Sequence, residues 1–464
     1  MVSIIDIYDR LSTEPLQGAE LEKYYVDAFE GRGDNPMLPL KRLLQRQPNG
    51  KLQILFSGYR GCGKSTELNK LQQEIIHEFI VLNFSALKEL DPVNINYVEL
   101  FILTMEKLFE AVEINHIAIN PQLFESIRQW SNSTEIERIR ELTGEASLEA
   151  GAEAEISAPF FMRFFAKMRA SANASFSTKK TIIENIEPRL FDLISHCNDL
   201  IREIKLKLPS IGKQGLIIII EDLDKLSLEK AEELFFNHSH ILSSLQTHVI
   251  FTFPISLSYH PKSKVIKDNF EPHVELPTLK VHDKQGNPFA GRDAMRNIVE
   301  CRIGTTCFEP EDLLNRFIDL SGGCLRDLFR LIRSAADSAL NNEREVITVG
   351  DYTKSFYRLR RDYENTIAEK RVNNELIISV GEYYDTLKVL AKSTTKKVDN
   401  TEAVLDLRQN LCILGYNDEG WCDVHPAVRS ILEERFPVDK ALFTSVASTA
   451  SASSATVTQQ RMSK

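Results

Sequence analysis

Gly58-Tyr59-Arg60-Gly61-Cys62-Gly63-Lys64-Ser65 decides the fold of this chain. The octapeptide fits G-x-x-x-x-G-K-[ST], the pattern of a loop that cradles phosphates. Its flanks agree. Residues 52–56 form a short apolar run that reads as a buried strand, and residues 66–76 place Leu68, Leu71, Ile75 and Ile76 on one face of a helix. A strand, a glycine-rich turn and a helix N-terminus together present free backbone N–H groups and the positive end of a helix dipole to an anion. The pattern assigns roles. Gly58, Gly61, Cys62, Gly63, Lys64, Ser65 and Thr66 are expected to hold the nucleotide, with Lys64 reaching the β- and γ-phosphates and the Ser65 hydroxyl ligating Mg²⁺. The expected cofactors are therefore ATP and Mg²⁺.

Working outward, the chain has 464 residues, room for about two to four domains. Its 43% hydrophobic and 26% charged residues are those of an ordinary soluble globular protein. The net charge of −10 argues against generic nucleic-acid binding, so any DNA contact must come from a local patch. Seven scattered cysteines, without a C-x-x-C pair, read as reduced thiols in a cytoplasmic protein. The N-terminus lacks the basic start and apolar core of a signal peptide, and no apolar run reaches membrane-spanning length.

Residues 1–45 read as a helical extension, with Tyr24-Tyr25-Val26 and residues 38–44 as apolar anchors; Arg32-Gly33-Asp34 reads as a turn. Four further strands are expected, at 79–84, 216–220, 248–253 and 273–276. Strands this apolar, separated by helices, predict a parallel sheet covered on both faces, an α/β fold. Between the second and third strands lies an insertion, residues 92–210. Leu100, Leu103, Met105, Leu108 and Phe109 share a helical face, and residues 136–142 and 182–208 continue the helical pattern, the latter stopped by Pro209. Within the insertion, Leu148 to Ala158 and Met168 to Phe176 alternate with a period of two about Phe160, Phe161, Phe164 and Phe165. That count favours a β-hairpin with an aromatic tip over the alternative of an Ala-rich helix. The weak lysine-rich amphipathic signature argues against a membrane partner. Residues 281–345 are expected to form a helical lid, 346–436 a linker helix and a compact C-terminal unit, and 437–464, rich in Ser, Ala and Thr, a disordered tail.

The strand at 216–220 runs into Glu221-Asp222-Leu223-Asp224. An ATPase needs one carboxylate near Mg²⁺ and another for the attacking water, and the carboxyl end of a parallel strand delivers both to a nucleotide. Either Glu221 or Asp222 takes the metal; the reading adopted gives Glu221 the metal and Asp222 the water. Asp224 stands evenly between a site role and a helix cap. Thr252, ending the next strand, is expected to contact the attacking water. Arg326, opening a helix after Ser321-Gly-Gly, is expected to reach the phosphates with its forked, permanently charged guanidinium.

The loop, the acidic strand, Thr252-Phe-Pro254 and Ser321-Gly-Gly-Cys-Leu-Arg326 together resemble the AAA+/STAND group of P-loop ATPases, regulatory switch NTPases related to replication initiators. The resemblance covers about residues 20–340. It implies an extra strand between the loop strand and the acidic strand, a lid carrying Arg326, and ATP-dependent homo-oligomerisation. It also implies an arginine from a neighbouring subunit, for which Arg292, Arg296 and Arg302 are candidates. The group's usual Asp is Glu221 here, which bears on hydrolysis rate more than on binding. Residues 375–435 resemble a winged helix-turn-helix, with helices at 383–390 and 401–410, wing strands at 411–416 and 421–424, and a closing helix at 427–435. Lys388, Lys392, Lys396 and Lys397 would meet phosphates if this unit read duplex DNA, but Glu402 and Asp406 make the second helix a poor groove reader. The resemblance to this ATPase group implies a winged helix that packs on the core and holds it closed, and that role is preferred to DNA reading; Arg358, Arg360 and Arg361 read as a solvated helix face. The expected function is an ATP-driven switch acting on an unidentified protein partner; the rival is a DNA-loading ATPase.

Overall fold

The computed structural model describes residues 3–131, 157–372, 374–416 and 420–437. Five parallel strands form the central sheet: β1 (Gln53–Ser57), β2 (Phe79–Ser85), β3 (Gly215–Glu221), β4 (His248–Phe253) and β5 (His273–Glu275), in the order β2-β3-β4-β1-β5. β4 thus lies between the loop strand and the acidic strand, as the resemblance implies. β1, β3 and β4 are buried at every position because both faces are covered, whereas the edge strands β2 and β5 are only partly buried. In β3, Leu216, Ile218 and Ile220 enter the core on one side, while Ile217 and Ile219 enter the core on the other. The second core is closed by helices α1 (Met37–Arg46) and α2 (Lys64–Ile75), through Leu40, Leu44, Leu68, Leu71 and Ile75.

The first core extends into the insertion, whose described helices are α3 (Tyr97–Ile114), α4 (Pro121–Ser131), α5 (Ala158–Ala174), α6 (Phe176–Ile186) and α7 (Leu190–Lys207). The β-hairpin expected here is corrected: residues 158–174 are helical. Phe161, Phe164, Phe165, Met168 and Ala172 are buried, a spacing that fits one helical stripe. Phe161 and Phe165 stack on Phe109, with ring centroids 5.2 and 6.1 Å apart, so the aromatic cluster packs on its own chain. Alanine's helix propensity and this aromatic stripe outweigh the period-two count. The first arm of the expected hairpin, residues 148–156, and the helix expected at 136–142 lie outside the described residues, as does the tail beyond 437. The helical run expected at 182–208 is interrupted at Glu187–Arg189, where Pro188 removes a backbone donor. Among the described residues, no helix is long and apolar enough to cross a membrane.

A third core joins the N-terminal turns, α8 (Gly291–Ile303), α9 (Leu313–Ser321), α10 (Leu325–Leu340), α11 (Val349–Thr366) and the C-terminal elements. The latter are α12 (Val380–Lys392), α13 (Glu402–Gln409), the antiparallel strands β8 (Ile413–Tyr416) and β9 (Trp421–Val424), and α14 (Pro426–Arg435). They follow the expected order and nearly the expected bounds. A short antiparallel pair not foreseen in the sequence, β6 (Lys370–Val372) and β7 (Glu375–Ile378), precedes them. The expected solvated face of α11 is corrected only at Arg360, which is half-buried; Arg358 and Arg361 are exposed. Arg360 pairs with Glu434 of α14, and Arg358 donates to the Ser334 hydroxyl of α10 at 2.9 Å, so these arginines tie α11 to its neighbours.

Candidate nucleotide site

The octapeptide turns between β1 and α2 at the carboxyl edge of the sheet. Gly63 caps α2 with φ +103° and no side-chain cap, which leaves the first N–H groups of α2 free of any capping side chain. Gly61 adopts φ +78°, and a Cβ there would stand 2.5 Å from Cβ of Arg326. Its missing side chain is what lets the lid helix α10 close against the loop. Lys64 is buried. Its ammonium donates to the Gly58 carbonyl at 2.8 Å and the Tyr59 carbonyl at 3.1 Å, and pairs with Asp224 at 2.9 Å. Burial pushes the Asp224 carboxyl up, but the Lys64 ammonium, with Lys225 and Arg60 behind it, more than reverses this and holds it below the usual carboxylate range.

Loop and helix open onto a cavity lined by Gly61, Gly63, Lys64, Ser65, Thr66, Arg326 and Asp224. The lining also includes Arg60, Glu67 and Lys225 and, from the N-terminal segment and the lid, Tyr24, Val26, Ala28, Arg32, Ile298, Arg302 and Phe329. The N-terminal strap is fastened to α2: the Leu16 N–H donates to the Thr66 hydroxyl at 3.3 Å, and Asn69 Nδ2 donates to the Leu16 carbonyl at 2.9 Å.

The sequence-predicted acids divide. The Glu221 carboxyl is raised chiefly by burial, with Asp222 and Asp224 adding to it, while Ser65 and Asn83 beside it pull the other way; the Asn83 amide donates to Gln72 at 2.9 Å and to Asn69 at 3.2 Å. A hydroxyl and a carboxylate side by side are the hard oxygen donors that suit Mg²⁺, which otherwise keeps water and phosphate oxygens. Asp222 adopts φ +72° and turns to Ser85 and to Lys225, 2.5 Å away. Asp224 does not cap a helix. Ser227 caps the next one, and Asp224 occupies the loop lysine instead. Thr252 is buried behind the acidic turn, accepting from the Leu223 N–H at 3.1 Å and donating to the Ile220 carbonyl at 3.4 Å. Its hydroxyl braces the turn in this form and is not among the groups lining the cavity.

Two arginines depart from the sequence reading. Arg32, expected in a simple turn, is 2% exposed; it donates to the Cys62 carbonyl at 2.7 Å and to the Pro277 carbonyl, beside Glu67 of α2. Only the fold brings residues 32 and 62 together, so no local signal marks it. Arg302, one of three candidates for an arginine acting on a neighbouring subunit, lies in this chain's own cavity and is 7% exposed. Arg292 pairs with Asp319, and Arg296 donates to Asn315 at 2.7 Å. Of the lysines on the C-terminal unit, Lys388 pairs with Asp385 at 2.6 Å and Lys396 with Asp423 at 3.0 Å.

Comparison with known proteins agrees with the loop. The profile of the KAP family P-loop domain matches residues 40–254. No curated protein matches the chain. Solved structures share low identity with it. A Walker-type ATPase of Pyrococcus abyssi is 14% identical with a TM-score of 0.44, covering 91% of this chain and 99% of that one. Cdc6p from Pyrobaculum aerophilum is 12% identical with a TM-score of 0.37, covering 94% and 100%. The Aeropyrum pernix ORC1 protein in complex with DNA is 12% identical with a TM-score of 0.36, covering 86% and 91%. By its loop, its sheet and the matching profile, this chain is a P-loop NTPase whose residues 40–254 are similar to the KAP family P-loop domain.

Proposed function

We propose that this protein binds ATP with Mg²⁺, hydrolyses it, and uses the nucleotide state to set how its lid, N-terminal strap and C-terminal unit sit against the ATPase sheet. One observation carries the reading. The Lys64 ammonium is buried at the cavity wall, held by two carbonyls of its own loop and one exchangeable carboxylate, Asp224. A triphosphate entering the cavity would take Lys64 from Asp224, so the ammonium would stay paired, and Lys225 and Arg60 would remain beside the released carboxylate. Ser65 and Glu221 would hold Mg²⁺, which would neutralise charge on the phosphates. Asp222 would orient the attacking water, Thr252 would keep the acidic turn in place, and Arg326 would bring the lid's charge to the phosphates. The winged-helix-like unit at 375–435 is assigned to holding the core rather than to duplex DNA. In support, its lysines 388 and 396 are paired within the unit, and α13 is turned towards the core through Arg408 and Gln409. The output would pass to a protein partner or a second copy of the chain.

Calorimetry tests this. Lys64→Ala should weaken Mg-ATP by about 100-fold or more, since it removes a charge-assisted contact to phosphate. Asp222→Asn should keep ATP bound while turnover stops. Unchanged ATP affinity in Lys64→Ala would end the nucleotide reading, and unchanged turnover in Asp222→Asn would end the role given to that residue.

A further inference from the structure

The cavity has two chemically distinct ends. One is lined by the loop, Arg326 and Asp224 and suits phosphates. The other holds the apolar and aromatic residues Tyr24, Val26, Ala28, Ile298 and Phe329, with Ser12, Thr13 and Glu14 of the N-terminal segment also in the lining. Phe329 follows Arg326 by three residues on α10, about one turn or ~5 Å further along the helix axis. Into this second end α8 places a single cation, Arg302, one turn after Ile298.

Arg302 is more than nine-tenths buried, yet no carboxylate pairs with it among the described residues. Its Nη1 donates to the Arg10 carbonyl at a long 3.4 Å, and its Nε has no partner. The guanidinium lies over the Phe329 ring, 4.7 Å from the centroid, and 6.0 Å from that of Tyr24. Burial pulls its pKa below the ordinary arginine value, offset only in part by Cys301, Glu20 and Tyr24. A buried cation with an unanswered donor is costly unless something arrives to accept from it. The flat apolar surroundings suit a heteroaromatic ring whose edge carries nitrogen or carbonyl acceptors.

We propose that Arg302 reads the base of the bound nucleotide, donating from Nε to an acceptor on the ring edge while the ring lies in the slot between the N-terminal segment and Phe329. The inference rests on the nucleotide reading above and adds a specificity residue contributed by the lid. Arg302 thereby acts within its own chain.

The test is calorimetry on the full chain with Mg-ATP and Mg-tripolyphosphate, which share the phosphate chemistry and differ in the base and sugar. Wild-type protein should bind ATP the more tightly. Arg302→Met should weaken ATP by about 10- to 100-fold, the range for a hydrogen bond from a charged donor, and leave tripolyphosphate within about 2-fold. Arg302→Lys, which keeps the charge but loses the fork, should fall between and serves if the methionine variant does not fold by circular dichroism. Equal losses for both ligands would place Arg302 on the phosphates, and no loss for either would make it a packing residue; each result overturns the proposal. Wild-type protein binding tripolyphosphate as tightly as ATP overturns it without any variant. Wild-type protein binding neither ligand is the separate failure of the nucleotide reading itself.

Discussion

At the scale of single residues, the central fact is the ion pair between Lys64 and Asp224, both buried. Each is only 6% exposed, so each depends chiefly on the other. Asp224→Asn should destabilise the nucleotide-free protein by about 3–5 kcal/mol, because Lys64 is left without its counter-charge. Mg-ATP should then raise the melting temperature of the variant more than that of the wild type, since phosphate supplies what was removed. The same pair predicts a pH dependence. The Asp224 carboxyl is held below its unfolded value, so its contribution is complete above about pH 4 and is lost as pH falls through the lower folded value. Urea midpoints measured from pH 7 down to pH 3 should show a decline that is shallower in Asp224→Asn. The loop residues were legible in the sequence because their pattern is local. Asp224 and Arg32 were not, since their partners lie 160 and 30 residues away and only the folded sheet brings them together.

Secondary-structure elements were read well where burial is simple. All five strands of the sheet and the order of the C-terminal helices follow from apolar runs and turn residues. The misreading of residues 158–174 came from alanine, which satisfies a two-residue period by accident while favouring a helix by its own entropy. Turn geometry supplies the prediction at this scale. Gly323, ahead of α10, adopts φ +93°, and a Cβ there would come within 1.9 Å of the Leu279 carbonyl oxygen. Gly212 adopts φ +70° with open space around it. Gly323→Ala should therefore cost about 3 kcal/mol or more, strain and clash together, whereas Gly212→Ala should cost about 1 kcal/mol for strain alone. Equal changes in thermal stability would show that the seat of α10 against residues 278–279 is not what fixes the lid.

At the scale of the whole molecule, the chain divides into a sheet with its two cores and a third core shared by strap, lid and C-terminal unit. They meet around the cavity and at a second place, where Arg408 of α13 donates to the Tyr59 hydroxyl at 2.6 Å and lies over the Tyr259 ring. Gln409 accepts from the Ser256 hydroxyl at 2.9 Å, and Leu414 packs with Tyr59 and Ile255. No sequence pattern links residues 59 and 408, so this contact was not legible beforehand. Arg408→Ala should loosen the C-terminal unit, seen as a larger radius of gyration by small-angle scattering. An unchanged radius would show that the shared third core alone holds the unit in place.

Tyr59 is a residue of the octapeptide itself, and Lys64 rests on its carbonyl. The back of the anion cradle is therefore the floor on which α13 stands. Lifting α13 would act on Tyr59 and so on the loop that seats Lys64; if ligand retention in the cavity changes with it, thermodynamic reciprocity requires the ligand to change, by the same factor, how readily α13 is taken.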